Sequence, residues 1–108
     1  MDATVTALPR EVLKRSGERA AFDARKIRSA IERAGAATGE FGADEAALLT
    51  AQVTKVLIHR FHGEAPTVEQ IQDVAEQTLI AANHLATARA YIVYREQHAT
   101  LRADRQTL

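Results

Sequence analysis

Apolar residues recur at helical spacing in four stretches of the chain, each bounded by residues that favour helix ends. In the first stretch the apolar positions are Ile27, Ala30, Ile31 and Ala34. Their spacing of i, i+3, i+4 and i+7 is typical of one face of an amphipathic helix. Asp23 can cap this helix at its start, with Phe22 and Ile27 spaced as a hydrophobic staple. We expect Gly35 and Gly39 to end it.

Three further helices follow from the same pattern. Asp44 can cap the second helix, and Gly63 closes it. Thr67 opens the third, since Thr67 and Gln70 have the spacing of a capping box. Asn83 can cap the fourth. The apolar positions are Leu49, Val53, Val56, Leu57 and Phe61 in the second helix, Val68, Ile71, Ala75, Leu79 and Ala82 with Val74 beside them in the third, and Leu85, Ala88, Tyr91, Ile92 and Tyr94 in the fourth.

Ahead of the helices, residues 11–15 and 18–22 flank Ser16 and Gly17. Two short segments around a two-residue turn that ends in glycine predict a β-hairpin. Because an isolated hairpin is only marginally stable in water, this one must pack on the helices. The predicted fold is mainly α with a small N-terminal β element, a β-hairpin packed on a four-helix bundle. We expect a flexible leader over residues 1–10, the domain over 11–100 and a polar tail over 101–108.

Length and composition fit this architecture. The 108 residues suit one compact domain. Aromatic residues make up only 5% and there is no Trp, so the core must consist mainly of Ala, Leu, Ile and Val, which favours close-packed helices. The 14 basic and 14 acidic residues cancel, so the chain lacks the basic excess of a protein that binds nucleic acid directly.

Several classes of site are excluded or disfavoured. The chain has no Cys, which excludes disulfides, thiol nucleophiles and cysteine zinc sites. His59 and His62 have a spacing that metal ligands use, but only Glu64 is near them in sequence, so we interpret them as a solvated helix end. Neither a P-loop nor a dinucleotide-binding glycine motif occurs, and no His/Ser/Asp grouping indicates catalysis. No apolar run has membrane-span length and no signal peptide is present, so we expect a cytoplasmic, non-catalytic protein without a metal site.

Residues 12–27 carry the chemistry of a binding site. Within residues 14–28, six basic side chains stand against two acidic ones, a local excess that suits a small multiply charged anion. Lys14 and Arg15 on the first strand and Lys26 in the first turn of the first helix can converge on one phosphate group.

Apolar residues interleave with these charges. Val12, Phe22 and Ile27 can form the walls of a base-binding site, and Asp23 can accept a hydrogen bond from a base amino group or a ribose hydroxyl. A solvated hairpin followed by a capped helix explains the same residues without any ligand.

Four segments together resemble a known family. The pattern Val-x-Lys-Arg-x-Gly begins at Val12, and Phe-Asp-x-x-Lys-Ile begins at Phe22, just before an Ala- and Ile-rich helix. Residues 67–74 and 88–95 supply two later helical segments. In this order they resemble the ATP-cone family, over about residues 11–98. The resemblance implies a hairpin followed by four helices, in agreement with the apolar pattern.

The resemblance also implies a regulatory function. ATP-cones bind ATP, which permits ribonucleotide reductase activity, or dATP, which inhibits it by changing how subunits assemble. The implied ligand is ATP or dATP with Mg²⁺, and the implied partners are the remainder of a ribonucleotide reductase or its other subunit and, when nucleotide binds, a second copy of the chain. Tyr91, Tyr94 and Arg95 resemble the family's last helix. The implied nucleotide contacts are Val12, Leu13, Lys14, Arg15, Phe22, Asp23, Lys26, Ile27, Thr67 and Gln72.

Two positions depart from the family's pattern. Ser16 replaces the Asp that commonly precedes the hairpin glycine, which is a substitution within a turn. Ala20 stands where the family commonly has Glu, two residues before Phe22. If that Glu recognises adenine, base selectivity is weaker in this chain, or Glu18 substitutes for it.

Three functions remain open from the sequence. The first is an allosteric domain of a ribonucleotide reductase, as part of a longer protein, because 108 residues cannot contain the reductase's catalytic barrel. The second is the ATP-cone of a transcriptional repressor of reductase genes, although those repressors carry a cysteine zinc ribbon ahead of the cone. The third is a helical interaction module whose nucleotide site has decayed, which Ala20 favours.

Overall fold

The computed structural model describes the backbone of residues 8–107 and the side chains of residues 8–97. In this part of the chain, an antiparallel hairpin of β1 (Glu11–Leu13) and β2 (Arg19–Ala21) precedes four helices, which are α1 (Ala24–Thr38), α2 (Ala43–Phe61), α3 (Val68–Ala81) and α4 (Leu85–Thr107). The prediction of a mainly helical fold with an N-terminal hairpin is confirmed. Residues 1–7 of the expected leader and residue 108 lie outside the described residues, and α4 continues through 101–107 of the expected tail.

The four helices enclose one core. α1 packs against α2 and α4, and α3 packs against the same two helices. Full burial of a large apolar side chain contributes roughly 1.5–3 kcal/mol, so the apolar stripes decide which helix faces meet. The side chains at the centre come from the positions that the apolar pattern identified, and each is at most 1% exposed: Ile31, Leu49, Val53, Leu57, Val74 and Leu79.

The hairpin differs from the prediction by one residue in its turn. Val12 pairs with Ala20, and Lys14 N donates to Glu18 O at 2.8 Å, so the loop between the last hydrogen-bonded residues, Lys14 and Glu18, has three residues rather than two. Gly17 N donates to Lys14 O at 2.9 Å, and Gly17 has a φ of 91°. A left-handed glycine after a tight turn is the usual way to close a three-residue hairpin loop. The strands are correspondingly shorter than expected.

The outer edge of β1 attaches the hairpin to the helices. Leu13 N donates to Pro66 O at 2.9 Å, and Leu13 forms a parallel bridge with Thr67 directly before α3. Pro66 is buried at this junction. The hairpin therefore lies across the start of α3, while its second strand leads directly into α1.

Two predicted helix starts and one predicted end are confirmed. Asp23 caps α1, since its Oδ1 accepts a hydrogen bond from Arg25 N at 2.9 Å. Thr67 caps α3 through a capping box in which Gln70 N donates to Thr67 Oγ1 at 3.0 Å and Thr67 N donates to Gln70 Oε1 at 2.9 Å. Gly39 ends α1 in the left-handed conformation, with a φ of 74°.

The starts of α2 and α4 differ from the prediction. α2 begins after Gly42, which has no side chain to cap it, and Asp44 lies in the first turn, where its charge favours the helix dipole. Asn83 does not cap α4: it has a φ of 66° in the turn after α3, and His84 directly precedes α4. Asn tolerates left-handed backbone better than most residues, which suits it to this turn. α2 ends with His62 in the left-handed conformation, with a φ of 49°, and Gly63, which was expected to close the helix, follows one residue later with a φ of 87°.

Gly35, which was expected to end α1, lies inside the helix. It is buried, and the ring of Phe41 from the following loop packs over it. A Cβ atom at this position would overlap Phe41 Cε1. Glycine in a helix interior costs roughly 0.5–1 kcal/mol relative to alanine, so the close approach of the ring explains the residue better than a helix end does.

The carboxylate of Glu40, in the loop between α1 and α2, caps the start of α4. Glu40 Oε1 accepts a hydrogen bond from Thr87 N at 2.8 Å, and Glu40 Oε2 accepts one from Ala86 N at 3.4 Å. The hydroxyl of Thr87 also donates to Glu40 and lies 2.8 Å from the hydroxyl of Thr38 at the end of α1. These bonds, the one from the Thr87 hydroxyl above all, lower the pKa of Glu40. The positive end of the α4 dipole favours a carboxylate at this place.

We expect Gly35→Ala to destabilise the protein by roughly 1–3 kcal/mol, because the new methyl group must displace Phe41. Helix propensity alone predicts the opposite, a gain of roughly 1 kcal/mol, so the sign of the change identifies the cause. Urea unfolding measures it. In a Phe41→Ala background the ring is gone, and Gly35→Ala should then be stabilising; a loss of the same size in both backgrounds would contradict the packing explanation.

We expect Glu40→Gln to lower the Tm at neutral pH, and the deficit to disappear in acid. The native pKa of Glu40 lies below its ordinary value of 4.5, so its contribution is complete above that value and is lost as pH falls through the lowered native pKa. Thermal melts of both proteins between neutral and acidic pH measure this. Glu64→Gln, an exposed carboxylate in the loop before α3, is the control and should change the Tm little at any pH.

Candidate functional site

A cavity of about 510 Å³ lies between the hairpin, the N-terminal end of α1 and the start of α3. It exists because β1 is attached beside α3 while β2 continues into α1. Small-molecule sites commonly have volumes of roughly 300–1,000 Å³, so this cavity has a suitable size. Its lining residues are Val12, Lys14, Arg15, Ser16, Ala20, Ala21, Phe22, Asp23, Lys26, Ile27, Val68 and Ile71.

Three cationic side chains that the sequence suggested as phosphate contacts line this cavity. Lys14 and Arg15 enter the hairpin turn, and Lys26 is the third residue of α1; all three are exposed. The backbone N–H groups of Arg25 and Lys26 already donate to Asp23 Oδ1 and Asp23 O. At the start of α1, an anion would therefore be bound by the ammonium group of Lys26 rather than by these two amides.

The apolar side of the cavity is continuous with the core of the bundle. Ile27 and Ile71 are 8% and 9% exposed and belong to the core, while Val12 and Phe22 are half-buried and pack against it. Val68 completes this wall at the start of α3. A flat apolar ligand bound here would contact residues of α1 and α3 that also belong to the core.

Asp23 remains ionised while it caps α1. Its Oδ1 accepts hydrogen bonds from Arg25 N at 2.9 Å and Arg25 Nε at 3.1 Å, and its Oδ2 accepts one from Arg25 Nη2 at 3.3 Å. The side-chain bonds from Arg25 are the main cause of the lowered pKa of Asp23. A carboxylate has about four acceptor positions, so Asp23 can accept a further hydrogen bond from a ligand.

The structure does not bring three of the predicted contacts to the cavity lining. Leu13 alternates to the face of β1 opposite Val12, and Thr67 is engaged in the capping box. Gln72 lies in a separate groove between α3 and α4, where its Oε1 accepts a hydrogen bond from Arg95 Nε at 3.2 Å. Contact of Leu13, Thr67 and Gln72 with nucleotide stays a prediction.

Five lining residues were missing from the predicted set: Ser16, Ala20, Ala21, Val68 and Ile71. Val68 and Ile71 belong to the apolar stripe of α3, which the sequence assigned to the core. The spacing of Val68 and Ile71 in the sequence places them on one face of α3. Only the position of the hairpin in the structure shows that the first turn of this face lines a cavity. Ala20 lines the cavity because it pairs with Val12 across the hairpin.

Other kinds of site find little support in the described residues. Within them, no group of three or more His, Asp or Glu side chains is arranged to hold a metal ion. His59 and His62 are both exposed near the end of α2. None of the helices over residues 8–107 is long and apolar enough to cross a lipid bilayer.

Comparison with known proteins identifies the family. A model described as the ATP cone domain matches residues 10–100. The chain belongs to the ATP-cone family. ATP-cone domains bind adenine nucleotides as allosteric ligands, so this chain is a nucleotide-sensing regulatory domain. The resemblance carried by residues 12–27, 67–74 and 88–95 is confirmed, and the cavity lies where the first of these segments meets the start of the second.

Three relatives illustrate where similar chains occur. The ribonucleoside-diphosphate reductase subunit alpha of Chlamydia muridarum is 35% identical over 103 residues, which cover 87% of this chain and 10% of that protein. The anaerobic ribonucleoside-triphosphate reductase of Haemophilus influenzae is 33% identical over 97 residues, covering 90% of this ATP-cone and 14% of the relative. The vitamin B12-dependent ribonucleoside-diphosphate reductase of Thermoplasma acidophilum is 31% identical over 104 residues, covering 92% and 13%.

This ATP-cone thus spans only 10–14% of the length of these relatives. The three relatives are reductases with three different descriptions, and all of them contain a region similar to this chain. The similarity concerns the nucleotide-sensing domain and not the remaining length of those proteins.

Proposed function

We propose that this ATP-cone binds ATP or dATP, with Mg²⁺, in the cavity beneath the hairpin and reports the occupancy of that site to a ribonucleotide reductase. The observation that carries the proposal is the combination of three cationic side chains with an apolar wall in one cavity of suitable size. The similarity of the chain to parts of three reductases supports the choice of enzyme.

In this proposal the two kinds of lining residue bind the two ends of the nucleotide. Lys14, Arg15 and Lys26 bind the phosphates, because cationic donors form strong charge-assisted hydrogen bonds with phosphate oxygens. Val12 and Phe22 contact the base. Mg²⁺ is held by the phosphates and neutralises part of their charge.

The proposed sugar contact is Asp23. Its ionised carboxylate borders the cavity and retains acceptor positions, which suits a ribose hydroxyl or a base amino group. ATP and dATP differ by one such hydroxyl, so a single contact of this kind is enough to separate them.

The proposed output is a change in assembly rather than a chemical reaction. The domain itself catalyses nothing; ligand binding changes how it associates with a second copy or with the reductase, in the cytoplasm. Ile27 of α1 and Ile71 of α3 line the cavity and also belong to the core. A bound nucleotide therefore contacts both helices and changes their packing. An allosteric ligand shifts the equilibrium between two states only if it binds them with different affinities, and contact with core residues whose packing differs between the states provides that difference.

Isothermal titration with ATP, dATP and GTP in the presence of Mg²⁺ tests the proposal, together with size-exclusion chromatography of each mixture. We expect binding of the adenine nucleotides in preference to GTP and a ligand-dependent change in apparent size. Absence of binding by all three nucleotides would contradict the proposal and favour an interaction module, which the small Ala20 in the cavity wall would then explain.

We expect Lys14→Ala and Lys26→Ala each to weaken ATP binding by roughly 1.5–3 kcal/mol, the value of a charge-assisted hydrogen bond. Both side chains are exposed, so the Tm without ligand should hardly change. Titration and thermal melts measure the two quantities.

Two variants control for the loss of positive charge. Arg28→Ala removes a charge from the outer face of α1, and Arg19→Ala removes one from β2, where Arg19 pairs with Glu11 at 3.3 Å. Neither residue lines the cavity. If the controls weaken binding as much as Lys14→Ala and Lys26→Ala do, the effect is general electrostatics and the phosphates bind elsewhere.

A further inference from the structure

Arg15 borders two spaces at once. It lines the cavity beneath the hairpin, and it also lines a groove of about 300 Å³ between α3 and α4, together with Gln72, Glu76, Ile92, Arg95 and Glu96. Of the residues that line the cavity, it is the one that lines this groove as well. Its long side chain, which starts from the hairpin turn, therefore connects the cavity to the outer face of α3.

The guanidinium of Arg15 contacts α3. Arg15 Nε donates to Glu69 Oε2 at 2.9 Å, and the two side chains are 52% and 35% exposed. Glu69 lies in the first turn of α3, 54 residues away in the sequence. An exposed pair of this kind is weak and is readily exchanged for a more highly charged partner.

The face of α3 that carries Glu69 continues along the groove. Glu69, Gln72, Asp73 and Glu76 have the spacing i, i+3, i+4 and i+7 of one helix face. Arg95 of α4 holds the far part of this face, through Gln72 Oε1 at 3.2 Å, Asp73 Oδ1 at 3.0 Å and Glu76 Oε2 at 2.6 Å. Two arginines thus bind α3 along one face, Arg15 from the hairpin and Arg95 from α4.

We infer that Glu69 is a positioning residue that competes with the nucleotide phosphates for Arg15. The inference rests on the proposed function. A phosphate group accepts bidentate hydrogen bonds from a guanidinium and carries more charge than a carboxylate, so bound nucleotide draws Arg15 away from Glu69. Binding then exchanges a contact between hairpin and α3 for a contact between hairpin and ligand, and the charge balance along the α3–α4 groove changes with it.

The first test is the affinity of Glu69→Gln for ATP and for inorganic tripolyphosphate, measured by isothermal titration. Glu69→Gln removes the charge that competes with phosphate for Arg15. Since the competing contact is an exposed ion pair, its loss should raise the affinity for both ligands roughly two- to fivefold. Asp73→Asn removes the same charge one turn further along α3, where Arg95 rather than Arg15 binds it, and should change neither affinity. An unchanged or reduced affinity of Glu69→Gln would overturn the inference.

A double-mutant cycle separates competition from general electrostatics. In an Arg15→Ala background the Arg15–Glu69 pair is absent, so Glu69→Gln should leave the affinity unchanged. A gain of the same size in both backgrounds would mean that Glu69 acts by long-range repulsion of the phosphates, and the inference would be wrong. Failure of the wild-type protein to bind either ligand overturns the proposed function itself, whereas wild-type binding without a gain for Glu69→Gln overturns only the role of Glu69.

The arginine can also be observed directly. In a ¹H–¹⁵N spectrum the Nε–H signal of Arg15, assigned with the Arg15→Ala variant, should shift in Glu69→Gln without ligand. In the wild-type protein it should shift on addition of tripolyphosphate. A signal that responds to neither change would show that Arg15 does not exchange Glu69 for phosphate.

Discussion

The hydrogen bond from Leu13 N to Pro66 O is the contact on which the site depends. A two-stranded hairpin with three residues in each strand is not stable by itself, and β1 obtains a second neighbour, besides β2, at the residues directly before α3. This attachment holds β1 beside α3 while β2 runs into α1. The space left between the hairpin and the two helix starts is the cavity that Lys14, Arg15 and Lys26 line.

The cationic residues that line the cavity do not contribute to the core, whereas part of its apolar lining does. Lys14, Arg15 and Lys26 are exposed, so the fold does not need their charges. The apolar wall is different, because Ile27 and Ile71 belong to the core as well as to the cavity. A ligand on this wall therefore acts on the packing of α1 against its neighbours, which is the physical route by which a small regulatory domain can report occupancy.

Polar contacts at the start and in the middle of α4 add to its apolar packing. The Glu40 carboxylate binds backbone amides at its start, and Arg95 joins its middle to the acidic face of α3. Arg15 binds that same face of α3 from the hairpin. Charge pairs thus link the hairpin, α3 and α4. The Arg15–Glu69 pair is exposed and weak enough to be exchanged when a ligand of high charge arrives, whereas the Arg95–Glu76 pair is partly buried.

Local features could be predicted from the sequence because short-range spacing determines them. The four helices follow from apolar periodicity, the Asp23 cap and the Thr67–Gln70 capping box from residues at most three positions apart, and the shared chemistry of Lys14, Arg15 and Lys26 from one continuous stretch. The three-residue turn, the interior position of Gly35, the Glu40–Thr87 cap and the Arg15–Glu69 pair were decided only by the tertiary structure. Each of these features depends on which surfaces meet after the chain has folded. A shift of one residue in strand register, or a ring packed over a glycine, changes the local structure but leaves no periodic pattern in the sequence.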